Sequence, residues 1–586
     1  MVANRWRARL FSLALPLFGI CVPLFLQYIL YSGSQAASQV SFDTVNTYLP
    51  LARRFLQDGF AMFATPEHLM VAPGSFLYMA MLGADAGRIV QVNLLLSALA
   101  LLLTADAVRR VSGPVASYAA AWLIACSPLL PVVLVPALSE PPHLFFVVLW
   151  LWSASLIWSG HRHWAPIVLG ALALFIAIMV RATYLYWMPA AIGASFLLLF
   201  AASQKLRQSA QAMLLLHLLA LGLTTAWCAQ NYYKFGVPVI ATGSGAALYF
   251  GSNAAVAGYE PPYYGMLHDH WLIAGEYSHL SIEGDRRLKL AAVEMLSDMP
   301  LETFAGMVVQ KMGATLFFSH VTLDGGVLNE RAWRIALILL ALVGLWGNRR
   351  SPLVWMLCCI LLYNLAILSL IMHSSRYSIG AIEVPLTFAA ALGVAWLLRR
   401  PFSLVRPIVF LLLAAVCVAV GAYDQRSSQP LMPMLERGHS VVALQADAEH
   451  LSVEGFVGDP LSSQGGVVDG EAAITWRNLA FERIGGAPVV SFRLTDLGAG
   501  CSDVMLKYSA PGHAPRLMSL TLRGLKLPQQ MNIGTAYLNA LDPRDPAAEL
   551  RITFVCPSEA RVALDDLQIR YLTTGHYYRD RQAVAP

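Results

Sequence analysis

The sequence predicts an α-helical protein that crosses a membrane many times and ends in an all-β domain. Of the 586 residues, 57% are hydrophobic and only 13% are charged, whereas a soluble domain usually carries about 25% charged residues. Lipid must therefore cover much of the surface. Apolar runs recur as far as residue 422, and short alternating segments follow. Because the Lys and Arg residues form no single stripe, nucleic acid is not an expected partner.

The apolar runs predict about eleven membrane helices, since about 20 apolar residues cross the hydrocarbon core. The predicted spans are 9–31, 87–106, 113–131, 141–158, 164–181, 184–202, 211–229, 333–347, 352–371, 379–398 and 407–423. With a cytoplasmic N-terminus, every inside loop holds at least one Lys or Arg and the short outside loops hold almost none, which is the positive-inside pattern. This odd count puts segments 32–86 and 230–332 and the C-terminus outside.

The tail, residues 424–586, predicts an antiparallel β-sandwich. Gly, Pro, Asn and Asp separate segments that alternate or run apolar over the length of a strand. These segments include 489–494, 503–508, 517–522, 549–555 and 562–571. Cys501 and Cys556 both fall in this domain, and an oxidising outside compartment favours a disulfide between them.

The first outside segment places a carboxylate beside a predicted interfacial helix. Apolar residues recur at helical spacing over 45–56, which predicts a helix lying in the membrane interface and ending at Gly59. Pro50 predicts an irregular first turn. Asp43 stands just before this helix, where it is either an N-cap or a functional carboxylate.

Three more charged side chains stand alone at predicted outside helix ends. Glu140 is the only acid in a long apolar stretch, and a carboxylate at membrane depth indicates a function because it is costly. Arg181 and Arg376 are not explained by the charge rule, and Arg suits bidentate phosphate binding. Alternatively, Glu140 caps a helix in headgroup water and the arginines extend to lipid phosphates.

The long outside segment is rich in Gly and Tyr. Gly243 and Gly245 permit tight turns with free backbone N–H groups. The strand–GxGxxG–helix order of a nucleotide site is absent.

These residues match the landmarks of a known family, in its order. The landmarks are Asp43 with Tyr48 and Gly59, Pro73-Gly74, Ser139-Glu140-Pro141, Arg181, the FGVPV…SG…LYFGSN…GY stretch and Arg376-Tyr377. With them, residues 5–422 resemble the GT-C membrane glycosyltransferases, in particular bacterial relatives of protein O-mannosyltransferases and aminoarabinose–lipid A transferases. Thr44 replaces the acid that usually follows the first-loop Asp, which leaves the subfamily open. The VALDDLQIRYL ending of the tail looks like jelly-roll carbohydrate-binding modules.

The resemblance implies a multi-pass glycosyltransferase of the bacterial inner membrane that acts on the periplasmic or extracellular face. It implies a GT-C-like catalytic domain over residues 1–423, a polyprenyl-phosphate sugar as donor, and an envelope glycan, lipid or protein as acceptor, with inversion. Asp43 is then the catalytic base, and Glu140 orients the acceptor or binds a metal with Asp43. The expected donor-phosphate contacts are Arg181, Arg376, Lys234 and Tyr377, and the expected substrate contacts are His373, Tyr249, Asn253 and Tyr259. The sequence requires no cofactor, and a divalent ion, Mg²⁺ or Mn²⁺, stays open.

Two other classes of protein stay open. A lipid-sugar flippase or transporter would also bury charges, although paired broken helices in two matching halves are not evident. A glycan-binding scaffold built around the β-domain would not need about eleven membrane helices as its anchor.

Overall fold

The computed structural model of the protein describes most of the chain, with gaps. The described residues are 16–34, 43–252, 273–274, 277–297, 299–317, 330–399, 415, 439–446, 449–462, 464–477, 479, 487–498, 501, 503–509, 516–521, 529–534 and 549–573. By its internal contacts the chain divides into two units. The first comprises 1–248, 279–289 and 308–428, and the second comprises 249–278, 290–307 and 429–586. The predicted span 407–423, apart from residue 415, and the predicted domain boundary at residue 424 lie outside the described residues.

The described chain before residue 400 is helical. Its α-helices are α1 Val22–Ser32, α2 Leu49–Asp58, α3 Pro73–Met81, α4 Ala86–Ala125, α5 Leu130–Leu134, α6 Glu140–Trp158, α7 Trp164–Val180, α8 Trp187–Leu197, α9 Gln204–Phe235, α10 Ser244–Gly251, α11 Ile282–Ser297, α12 Leu301–Phe317, α13 Glu330–Gly347, α14 Pro352–Leu370 and α15 Ser375–Arg399. The helices α10, α11 and α12 lie in the predicted outside segment 230–332, where the sequence analysis had predicted no helix.

Several helices can cross a bilayer. Among the described residues, α4, α6, α9, α14 and α15 are long and apolar enough to do so, and Leu17–Ser32, Trp164–Val180 and Trp187–Phe200 are shorter apolar helices. The prediction of a multi-pass helical membrane protein is therefore confirmed, but the number of about eleven spans is not.

The range of α4 holds two helical stretches that meet at a sharp kink. The predicted spans 87–106 and 113–131 begin on either side of it, and the backbone leaves helical geometry at Ser112 and at Gly113, where φ is 66°. Pro114 follows directly. Glycine tolerates this backbone conformation and proline removes one helical hydrogen bond, which together account for the kink.

The interfacial helix ends as predicted. One turn of π-helix, Thr44–Tyr48, precedes α2, and Gly59 ends α2 with a φ of 57°. The irregular first turn agrees with the position of Pro50. Leu49 and Ala52 are buried, and α2 packs on α3.

Close helix packing holds the membrane part together. The helix α15 packs along α13 and α4, and α6 packs against α7 and α4. Where α13 crosses α15, a Cβ atom on Gly344 would collide with the carbonyl oxygen of Ala389, and one on Gly393 would collide with that of Leu340. The two glycines therefore let the backbones touch, as small residues do between membrane helices.

The tail is an antiparallel sheet. Its strands are β1 His439–Gln445, β2 Leu451–Glu454, β3 Gly466–Arg477, β4 Ala487–Leu497, β5 Asp503–Ser509, β6 Arg516–Thr521, β7 Gln529–Gly534 and β8 Glu549–Thr573. The central path runs β2-β3-β8-β4-β7, with β1 and β5 also paired to β8 and β6 paired to β5. The predicted segments 549–555 and 562–571 are one long strand, and β1, β2, β3 and β7 lie outside the segments named from the sequence. Two-layer packing of this sheet stays a prediction.

The β-domain has its own buried core and a disulfide. Trp476, Phe492 and Ile552 belong to this core, together with both cysteines of the Cys501–Cys556 disulfide. Burial of these side chains gives the sheet an apolar face of its own.

Candidate active site

A buried carboxylate joins two arginines that are far apart in the sequence. Glu140 is the first residue of α6, and its side chain is 3% exposed. Its Oε1 lies 2.6 Å from Nη1 of Arg181 and 2.9 Å from Nε of Arg376. A buried carboxylate needs such partners to offset its desolvation. Glu140 therefore faces two guanidinium groups, and the headgroup-water alternative for it is wrong.

Asp43 completes the cluster from the side that is open to solvent. Its Oδ2 accepts a hydrogen bond of 2.8 Å from Nη2 of Arg376, and its side chain is 46% exposed. Asp43 occupies the N-cap position of the first helical turn but makes no side-chain capping bond. Capping therefore does not explain this aspartate.

Two hydroxyl groups extend the cluster. Ser139 donates to Oε2 of Glu140 at 3.2 Å and accepts from Nη1 of Arg181 at 3.2 Å. The hydroxyl of Tyr48 lies 3.2 Å from the same Ser139 oxygen. Burial raises the pKa of Tyr48 to about 12, so it is a neutral phenol near pH 7. Both residues are landmarks of the resemblance, but sequence reasoning gave neither of them a role in the site.

The aromatic ring of Tyr377 packs against both arginines. The guanidinium carbon of Arg181 lies 4.9 Å from the ring centroid, and that of Arg376 lies 5.3 Å from it. Cation–π attraction at these distances favours both guanidinium groups staying beside the ring. Tyr377 therefore contacts the predicted phosphate-binding arginines.

Local sequence explains how these side chains converge. Two prolines follow Glu140 at the start of α6, where proline fits because the first turn needs no N–H partner. Arg181 directly follows α7 in extended backbone, and Arg376 lies in the first turn of α15. A Cβ atom on Gly74 would lie 2.9 Å from the carbonyl of Met179. Gly74 thus lets α3 approach the chain just before Arg181.

The charges in the cluster balance. Arg181 and Arg376 supply two positive charges, and Glu140 and Asp43 supply two negative charges. Both arginine side chains are 21% exposed. Because the Glu140 contacts are buried and Asp43 is half exposed, the Asp43–Arg376 pair is the more accessible part of the cluster.

Three of the other predicted site residues have contacts of their own. His373 is buried, with Nδ1 3.4 Å from Oγ1 of Thr315. Lys234 is exposed and donates to the carbonyl of Phe63 at 3.2 Å. Tyr249 is buried in α10 and belongs to the second unit. The remaining two predicted residues, Asn253 and Tyr259, lie outside the described residues.

The glycine-rich turn does not offer free backbone N–H groups. Oδ1 of Asp285 accepts from the N–H groups of Gly243, Gly245 and Ala246 at 2.8, 2.7 and 3.3 Å. The prediction of free N–H groups in this turn is therefore wrong. The cause is tertiary, because the carboxylate belongs to α11, about 40 residues further along the chain. It accepts from N–H groups at the start of a helix, which have no partner within that helix.

The cluster does not fit a divalent metal ion. The guanidinium of Arg376 already bridges the carboxylates of Asp43 and Glu140. In the part of the chain that the structure describes, no group of three or more His, Cys, Asp and Glu side chains lies close enough to hold a metal. Hard cations prefer several oxygen ligands at once, and no step below is assigned to a metal.

Neither a protein-family model nor a curated protein matches the chain. Solved structures similar to it include the Archaeoglobus fulgidus oligosaccharyltransferase, at 14% identity and a TM-score of 0.40, over 70% of this chain and 56% of that chain. ArnT from Cupriavidus metallidurans, bound to undecaprenyl phosphate, shows 13% identity and a TM-score of 0.28, over 64% and 76%. The arabinosyltransferase EmbB from Mycobacterium smegmatis shows 12% identity and a TM-score of 0.26, over 94% and 64%.

These neighbours include glycosyltransferases, the class that the sequence motifs resemble. This chain spans little more than half the length of the oligosaccharyltransferase, 56%. With every TM-score below 0.5, the likeness carries no argument about mechanism, and function must be argued from the residues of this chain.

Proposed function

We propose that this protein is a membrane-embedded glycosyltransferase that moves a sugar from a polyprenyl-phosphate donor to an acceptor hydroxyl. The single observation that supports it most is the Asp43–Arg376–Glu140–Arg181 cluster. It joins a half-exposed carboxylate to two arginines that a buried carboxylate holds in place. A group-transfer reaction with a phosphate leaving group needs both a base and cations beside it.

Each charged residue then has a different task. The phosphate of the donor binds Arg376 and Arg181 and competes with Asp43, the more exposed of the two carboxylates. Glu140 keeps both guanidinium groups positioned while this exchange takes place. Released from Arg376, the Asp43 carboxylate is free to accept a proton.

The proposed reaction is a single displacement. The acceptor hydroxyl gives its proton to Asp43, and its oxygen forms a bond to the anomeric carbon of the sugar. The bond between that carbon and the phosphate oxygen breaks, and the electron pair goes to the leaving polyprenyl phosphate. The phosphate gains one negative charge, which the two arginines stabilise. A one-step displacement inverts the anomeric carbon.

The setting favours a lipid-linked donor over a nucleotide sugar. The cluster lies at the ends of α6, α7 and α15, and α6 and α15 are long and apolar enough to cross a membrane. An apolar polyprenyl chain partitions into the bilayer beside such helices. We place the site on the periplasmic or extracellular face of a bacterial inner membrane, because the positive-inside pattern puts these helix ends outside. Residues 424–586 would then lie on that face, with the β-domain as a candidate acceptor-binding module.

The direct test is a panel of polyprenyl-phosphate sugars with the purified protein in nanodiscs. Transfer to an acceptor, with release of polyprenyl phosphate and inversion at the anomeric carbon, is the expected result. A flippase would move the lipid sugar across a vesicle without cleaving it. Transport with no cleavage of any donor would therefore overturn the proposal.

Arginine variants test the phosphate contact. Arg181→Lys and Arg376→Lys keep the charge and lose the planar pair of N–H donors. We expect both to lower transfer and to weaken binding of polyprenyl phosphate. Arg207→Lys, at an exposed position in α9, is the matched control. If both variants bind and turn over donor like the control, these arginines do not contact the phosphate.

A further inference from the structure

The helix α12 carries two polar residues on one buried face. Lys311 and Thr315 are one turn apart, so their side chains lie on the same side of the helix. Both residues are fully buried. Lys311 is the one charged residue between Met307 and Phe317. A buried ammonium group needs polar partners to offset its desolvation.

Lys311 contacts the backbone just before α15. Its Nζ donates to the carbonyl of Ile371 at 3.1 Å. Burial lowers the pKa of Lys311 to about 7, and both the ammonium and the amine keep an N–H donor for this bond. The next residue, Met372, donates its N–H to the carbonyl of Ala247 in α10 at 3.0 Å. The turn that leads into α15 is thus held from two helices.

Thr315 contacts the same turn further along. Its hydroxyl lies 3.4 Å from Nδ1 of His373, and its carbonyl accepts from the hydroxyl of Ser378 at 2.7 Å. That carbonyl also accepts from Nη1 of Arg334 at 2.8 Å. Arg334 in turn forms a fully buried ion pair of 2.7 Å with Glu383 in α15.

We infer that Lys311 and Thr315 are positioning residues that hold Arg376 in its reactive orientation. Their bonds to Ile371, His373 and Ser378 lie on both sides of Arg376 along the chain. Arg376 lies 2.8 Å from Asp43 and 2.9 Å from Glu140. To keep both distances, the backbone at the start of α15 has to be held on both sides of Arg376. The inference deepens the proposed function and rests on it for its effect on transfer.

The buried ion pair between Arg334 and Glu383 holds α15 at a point after Arg376 in the chain. Arg334 and Glu383 are both inaccessible to solvent, and Trp333 donates to the second oxygen of Glu383 at 3.0 Å. A buried pair strongly resists being separated, because each partner alone would be an uncompensated charge. It therefore ties α13 to α15 and gives Thr315 a fixed acceptor geometry.

Lys311→Met removes the donor to Ile371 and keeps an apolar stem of similar length, whereas Lys311→Gln keeps an N–H donor. Lys289→Met, at an exposed lysine of α11, is the matched control. We expect Lys311→Met to lower transfer by about 10- to 100-fold through misplacement of Arg376. Lys311→Gln should recover part of this loss, and Lys289→Met should match the parent.

Two readouts separate positioning from general destabilisation. Amide hydrogen exchange at residues 371–378 should be faster in Lys311→Met and unchanged in Lys289→Met, with the other membrane helices protected as in the parent. Lys311→Met combined with Arg376→Lys should be no slower than the slower single variant, since both act through one group. If Lys311→Met does not fold, the same measurements are made on Thr315→Val, which removes the hydroxyl beside His373.

Parent-like exchange at 371–378 in Lys311→Met, or a loss of transfer that adds fully to that of Arg376→Lys, would overturn the inference. A parent protein that cleaves no polyprenyl-phosphate sugar would overturn the proposed function instead. The exchange comparison would still decide whether α12 holds the start of α15.

Discussion

The exposed carboxylate of the cluster gives the sharpest prediction. Asp43→Asn keeps the size of the side chain and its hydrogen-bonding ability, but it removes the base. The side chain is 46% exposed and has one ion pair, at 2.8 Å to Arg376. Exposed ion pairs contribute about 0.2–1 kcal/mol to stability. Arg376 also retains its buried contact with Glu140, so the folded protein should hardly change.

The expected effect on catalysis is much larger than the effect on stability. General-base catalysis contributes about 10²- to 10⁴-fold to a rate, so transfer by Asp43→Asn should fall by at least about 100-fold. A stability loss of about 1 kcal/mol corresponds to only about five-fold in the folding equilibrium. Destabilisation therefore cannot imitate the predicted loss of turnover.

The assay compares transfer rate and thermal unfolding in the same nanodisc preparation. The matched control is Asp58→Asn, at the other end of α2. Asp58 has the same side-chain exposure of 46% and an exposed bond of 3.3 Å to Arg54. It should keep both stability and turnover. Near-normal turnover by well-folded Asp43→Asn would show that another group is the base.

Three further outcomes test the fold. Glu140→Gln should destabilise the protein by about 3 kcal/mol, because it leaves two guanidinium groups beside a neutral amide. Thermal unfolding equal to that of the parent would contradict the pairing of Glu140 with Arg181 and Arg376. Gly245→Ala should lower the free energy of unfolding by about 1–3 kcal/mol, since a Cβ atom there would collide with the backbone of α11. Gly306→Ala is its control: an added Cβ atom there meets open space, so the same unfolding measurement should show a neutral or stabilising effect. Cys501→Ser opens a disulfide that spans 55 residues and should lower the free energy of unfolding by up to about 4 kcal/mol in the chain-entropy model. In intact cells, an impermeant thiol reagent should label the parent protein only after reduction. Labelling without reduction would contradict a disulfide on the outside face.

The site could be found from the sequence because charges are rare in this chain. Glu140, Arg181 and Arg376 stand out against apolar neighbours, and a lone charge at membrane depth needs a partner. The same reasoning would have found Glu383, which stands alone in an apolar stretch and pairs with Arg334.

Hydrogen-bonding groups without charge could not be assigned in this way. Ser139 and Tyr48 contribute hydroxyl groups whose partners come from other helices. The N–H groups of Gly243 and Gly245 were predicted to be free, but the carboxylate of Asp285 accepts from them. Nothing local in the sequence indicates which distant carboxylate reaches a turn.

The sequence by itself determined the class of protein, the end of α2 and the rare charges that matter. Hydropathy, the backbone freedom of Gly59 and the cost of an isolated charge act within one segment and can be read along the chain. The tertiary structure alone decided that Glu140 binds two arginines at once, that Asp43 pairs with Arg376, and that Lys311 reaches Ile371. These contacts join residues up to 333 positions apart. They depend on how helix ends meet in space, which is set by the packing of whole helices and not by any local pattern.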